Sequence, residues 1–73
     1  MKYRYSVQFE RPANVDTLIE FLRYAQILSI NDDESITIHC PAGIGRPENW
    51  ARSNVERIRS FSFTAAVCRK EDL

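Results

Sequence analysis

The chain has 73 residues and a mass of 8.5 kDa, enough for one small core and too little for two. Ten basic residues balance ten acidic ones, which argues against coating nucleic acid by bulk positive charge and against acidic mimicry. With 44% hydrophobic and 27% charged residues, the composition is that of a folded globular domain. Its apolar runs are far short of the about 20 residues a bilayer span takes.

Met1 to Tyr5 is charged, with no apolar stretch after it. The expectation is a chain without a signal peptide, resident in the cytoplasm. Lys2 to Phe9 alternate: Tyr3, Tyr5, Val7 and Phe9 fall on one side, and Lys2, Arg4, Ser6 and Gln8 on the other. That period of two predicts a half-buried strand with the aromatic side toward the core. Arg11-Pro12-Ala13 ends it. Asn14 is a natural N-cap, and Val15, Leu18, Ile19, Leu22 and Ala25 recur at helical spacing. The first helix is expected from Asn14 to Gln26, with Glu20 and Arg23 on the wet side and Phe21 and Tyr24 flanking the buried stripe.

Ile27 to Ile30 and Ser35 to Cys40 are short apolar segments around the polar loop Asn31-Asp32-Asp33-Glu34, which predicts a β-hairpin. The competing arrangement carries the first helix through Ile30 and leaves a single strand here. After the connector Pro41 to Arg46, Pro47 suits a first helical turn, where its missing N–H costs nothing. The second helix is expected from Pro47 to Ser60, with Ala51, Val55 and Ile58 as its stripe and Trp50 and Phe61 extending it. Phe61 to Cys68 alternate as a last strand, and Arg69 to Leu73 read as a frayed, charged tail. Strand, helix, hairpin, helix, strand is the ferredoxin-like β-α-β-β-α-β pattern of an α+β domain. It predicts an antiparallel sheet with both helices on one face and the first and third strands central. Without the first hairpin strand, a three-stranded variant remains. Residues 1–68 form the expected domain and 69–73 its tail.

No motif carries chemistry. Gly43-Ile44-Gly45 lacks the third glycine and the lysine of a phosphate loop, and reads as a connector. Cys40 and Cys68 form no C-x-x-C pair and are expected to be free thiols. With His39 as the sole histidine, a structural zinc site has too few ligands. His39 and Cys40 are consecutive in a strand and so face opposite ways. His39 and Cys68 can share a face only with the first strand between them, too far for a nucleophile and its base at about 4.8 Å per strand step. Neither an enzyme nor a cofactor is expected.

A nucleic-acid reading rests on the open sheet face, where Lys2 and Arg4 could meet phosphate. The aromatic signature of an RNA-recognition motif is absent, and the third strand offers Ser35, Thr37 and His39 there. A protein-binding reading rests on Arg46, Trp50, Arg52 and Arg59. From Arg46 to Ser60 four arginines stand against two glutamates, while the Asn31 to Glu34 turn is acidic, and such polarity steers docking. An edge strand could also accept a partner's strand.

The chain opening Met1-Lys2-Tyr3-Arg4-Tyr5-Ser6-Val7-Gln8-Phe9, compact and ending in a charged tail, resembles the small bacteriophage regulators of host RNA polymerase of the Xanthomonas-phage type. The likeness is of the whole chain, so no residue is carried over by position. It implies a protein that binds bacterial RNA polymerase, inhibits host initiation and promotes antitermination. The expectation is therefore a non-enzymatic protein binder, a monomer or weak dimer. Its contacts are expected at Lys2, Arg4, Arg46, Trp50, Arg52 and Arg59, and a small RNA- or DNA-binding domain is the alternative.

Overall fold

A computed structural model describes residues 3–22, 27–62 and 64–72. Lys2, Arg23, Tyr24, Ala25, Gln26, Phe63 and Leu73, which the sequence reading assigns to strands, the first helix and the tail, lie outside the described residues.

The elements in chain order are β1 (Tyr3–Phe9), α1 (Val15–Phe21), β2 (Ile27–Ile30), β3 (Ile36–His39), α2 (Pro47–Ser62) and β4 (Ala66–Asp72). The strands form one four-stranded antiparallel sheet in the order β2-β3-β1-β4. In β1 the alternation works as expected. Val7 faces Ile38 and Phe9 faces Ile36 across one ladder, and Phe9 faces Ala66 across the other. These side chains are buried with Leu18 and Leu22, and with Trp50, Ala51, Val55 and Ile58 of α2, in one apolar cluster. The opposite face of β1 carries Arg4, Ser6 and Gln8 against His39, Thr37, Glu71 and Arg69 on its neighbours.

The hairpin forms as β2 and β3, with a bulge between Ile27 and Ser29. Its turn is closed by Asn31 N–H donating to Ser35 O at 2.8 Å and Glu34 N–H donating to Asn31 O at 2.9 Å. Glu34 adopts φ +69° there, a conformation that side chains larger than glycine rarely take. The Asp33 carboxylate steadies the turn by accepting from Ser35 Oγ (2.6 Å) and Ser35 N–H (3.0 Å), and these bonds hold its pKa below the ordinary value.

Four expectations are corrected. The helix α1 ends at Phe21 rather than Gln26, because Leu22 turns to extended backbone (φ −75°, ψ 137°) while remaining buried. A helix this short has little stability of its own, so where its chain must leave for β2 decides its end. Asn14 stands at the N-cap without a side-chain cap bond; its carbonyl accepts from Leu18 N–H at 3.0 Å. Second, α2 continues through Ser62, so Phe61 is helical and packs on the core margin. Third, Arg69 to Asp72 are no tail. They continue β4 and pair with Ser6 back to Tyr3. Fourth, this register puts Cys68 opposite Val7, on the core side, and Val67 on the open face, so His39 and Cys68 do not share a face.

Candidate docking site at the start of β1

Past Val7, toward its beginning, β1 outruns the core. Tyr5 packs on the margin of the apolar cluster and Tyr3 lies beyond it. Both are half-buried, and their rings meet edge to face at 5.7 Å between centroids, a favoured aromatic geometry. Lys70 Nζ sits 4.2 Å from the Tyr3 ring centre, within cation–π range. Pro47 begins α2, so the irregular connector before it, and not a helix, borders these rings. The result is a hollow of about 440 Å³ whose lining includes Tyr3, Arg4, Tyr5, Pro41, Ile44 and Pro47. Gly43 turns the connector with φ +89°, which glycine tolerates without strain.

The open sheet face is already occupied by its own polar bonds. Glu71 accepts from Ser6 Oγ at 3.1 Å and from Arg4 Nη2 at 3.3 Å. His39 Nδ1 lies 3.4 Å from the same carboxylate, outside hydrogen-bond geometry, so that contact is electrostatic. Arg69 Nη1 donates to Gln8 Oε1 at 2.8 Å, Gln8 Nε2 to Ser35 Oγ at 3.1 Å, and Asn31 Nδ2 to both Ser35 Oγ and Thr37 Oγ1 at 2.9 Å. Ser6 is wholly buried under this lattice and His39 is 9% exposed. Burial, reinforced by the Arg4 charge, lowers the His39 pKa against the pull of Glu71. Burial also pushes Glu71 upward, but the bonds from Ser6 and Arg4 and the neighbouring positive charges outweigh it, and its pKa stays below the ordinary value.

The residues expected to bind a partner are dispersed. Lys2 lies outside the described residues. Arg4 is bound to Glu71 at the rim of the hollow, and exposed Arg46 stands on the connector between Ile44 and Pro47, two of the hollow's walls. Trp50 is 7% exposed and belongs to the core. It is therefore no surface anchor: its spacing from Ala51 and Val55 turns it inward. Arg52 pairs with Glu48 one turn back on the exposed side of α2, and Arg59 Nη2 donates to Ala66 O at 2.9 Å. Arg52 and Arg59 line a separate shallow groove between α2 and β4.

Sequence reasoning missed the half-buried tyrosine pair at the hollow, because it placed every aromatic of β1 in the core. It also missed the Arg4–Ser6–His39–Glu71 cluster, because Glu71 was counted in the tail. Burial raises the pKa of Cys40 and of Cys68, which keeps both as thiols rather than nucleophilic thiolates. Among the described residues no cluster of three or more His, Cys, Asp or Glu is placed to hold a metal ion, and no helix is long and apolar enough to cross a membrane. No protein-family model, curated protein or solved structure matches this chain.

Proposed function

We propose that this chain is a non-enzymatic regulator that works by docking on another protein through the Tyr3–Tyr5 hollow. The observation that carries this reading is the half-buried tyrosine pair at and beyond the margin of the core, facing a hollow, with exposed Arg46 on the connector that helps to line it. Tyrosine and arginine are the residues on which interface energy concentrates. Nucleic acid is less favoured as a partner, because Arg4 and Arg69 on the open face are engaged by Glu71 and Gln8, no described Phe, Tyr or Trp ring lies there for bases to stack on, and the His39 ring there is buried. We read the element order, with β1 and β3 central, as the ferredoxin-like arrangement, which places the hollow at one end of the sheet. The narrowest form of the proposal takes bacterial RNA polymerase as the partner, following the likeness to small phage regulators. Docking would then occlude or remodel an interface so that initiation falls and transcription reads through terminators.

The test is binding of the purified chain to purified, nuclease-treated bacterial RNA polymerase, followed by a transcription assay. The expected result is a stoichiometric complex whose affinity drops about tenfold or more in Tyr5→Ala and Arg46→Ala, while Arg52→Ala binds normally. Affinity should change little with salt, unlike phosphate contacts, which weaken steeply. A folded chain that fails to bind the polymerase overturns this form. Retention that depends on nucleic acid and collapses with salt promotes the nucleic-acid alternative.

A further inference from the structure

The strand β4 is paired along seven residues of β1, yet Ala66 is its one buried side chain; Val67 through Lys70 and Asp72 are exposed. Its outer half therefore gains almost nothing from apolar burial, the dominant stabilising term elsewhere in the sheet. Besides the backbone ladder, Arg69 to Asp72 are tied inward by Arg69 Nη1 on Gln8 Oε1, by Lys70 over the Tyr3 ring and by the Glu71 carboxylate, and of these the carboxylate alone reaches beyond β1. That carboxylate reaches across β1 to meet Arg4, Ser6 and, from β3, His39, so it binds three strands at one point. The cluster has no spare partners. Arg4 Nε and His39 Nδ1 are buried without a hydrogen bond, so removing the carboxylate charge leaves a guanidinium and an imidazole facing each other with nothing between them. Unsatisfied buried polar groups of this kind are costly.

We propose that residues 69–72 are an acid-releasable latch. The Glu71 carboxylate, gripped by Arg4 and Ser6 with His39 beside it, holds the outer half of β4 on β1, and loss of that grip frees the strand end and bares the edge of β1. The groups facing Glu71 are Arg4 from β1 and His39 from β3. On its own strand Arg69 turns to Gln8, and Lys70 lies on the opposite face over Tyr3. Protonating His39 sets a second cation beside Arg4, and protonating Glu71 then removes the anion that both cations face. A bared β1 edge presents unpaired N–H and C=O groups, the template onto which an extended segment of another chain adds. Because Lys70 also flanks Tyr3, opening the latch reshapes one wall of the hollow. The latch itself does not depend on the docking proposal.

The test is amide hydrogen exchange, resolved by residue on the full chain and corrected for intrinsic rates, at about pH 7 and about pH 3, below the ordinary carboxylate range. Acidification is expected to lower protection of the Arg69–Asp72 amides by about tenfold relative to those of β3, because strand ends open locally while the core stays closed. Glu71→Gln should show the same selective loss already at neutral pH, and His39→Gln should move the acid loss to lower pH. If Glu71→Gln does not fold, Ser6→Ala removes a single donor and should give a smaller loss confined to the same amides. Equal loss in β3 and β4 on acidification overturns the latch, as does a folded Glu71→Gln or Ser6→Ala variant whose β4 is protected like the parent.

Discussion

The strands β3 and β4 flank the same central strand and hold it by different means. All four residues of β3 are buried, and Ile36 and Ile38 reach Phe9 and Val7 across the ladder and lie in the core. Longer by three residues, β4 buries one. The first strand is held by packing. The second is held by its backbone ladder, by Arg59 on the Ala66 carbonyl at one end and by the Glu71 cluster at the other. Strand length and strand anchoring are thus separate properties in this sheet. The less anchored edge carries the charged residues that discourage edge-to-edge aggregation.

The sharpest way to break the comparison is a truncation on each side of β1. Ile38→Ala, at a side chain with no exposure, should cost about 2–5 kcal/mol through lost burial and the cavity left behind. Val67→Ala, on the exposed face of β4, should stay within about 0.5 kcal/mol. Urea denaturation read through Trp50 fluorescence measures both. Equal costs would mean that β4 is packed as firmly as β3.

Acid is the next probe. The folded state holds His39 and Glu71 below their ordinary pKa values, so both favour the native state in their deprotonated forms. Their contribution is complete above about pH 6.5, the ordinary imidazole value, and is lost as pH falls, first through His39 and then below about 4.3 through Glu71. The urea midpoint should fall over that range. In His39→Gln the upper part of the fall should vanish and the lower part remain. A midpoint that is flat from pH 7 to about pH 5 in the parent chain would show that His39 is not linked to folding.

The same contrast decides what could be read from the sequence. Elements held by packing leave a periodic signature. The alternation of β1, Ile36 and Ile38 of the hairpin, and Ala51, Val55 and Ile58 on α2 all mark buried faces, and β1, β3 and α2 stand where that pattern puts them. An element held by backbone pairing and polar side-chain bonds leaves none. Arg69-Lys70-Glu71-Asp72 is polar on both faces, so it reads as a tail, and the apparent alternation through Phe61 belongs to the end of a helix. The candidate docking site was half legible. Arg4 and Arg46 were picked for their charge, but whether a tyrosine or tryptophan is buried depends on where the facing layer stops. That boundary leaves Tyr3 half-buried beyond the core and buries Trp50, whereas the sequence pattern puts Tyr3 in the core and Trp50 both on the helix stripe and among the contacts.

The smallest effect is expected on the outer face of α2, where Arg52 and Glu48 form an ion pair between side chains that are 66% and 55% exposed. Solvent and salt screen such a pair, and ordering two long side chains offsets part of the attraction. Arg52→Ala should therefore cost no more than about 0.5 kcal/mol, and less at high salt. Glu71→Gln removes the charge and one of the two oxygens that accept from β1, where one donor is wholly buried, and should cost about 1 kcal/mol or more with little salt dependence. Measuring the two variants side by side at low and high salt separates an ornamental ion pair from a fastening one. If Arg52→Ala proves the costlier, the anchoring of β4 lies on the helix side of the sheet, where Arg59 already meets it, and not in the cluster on the open face.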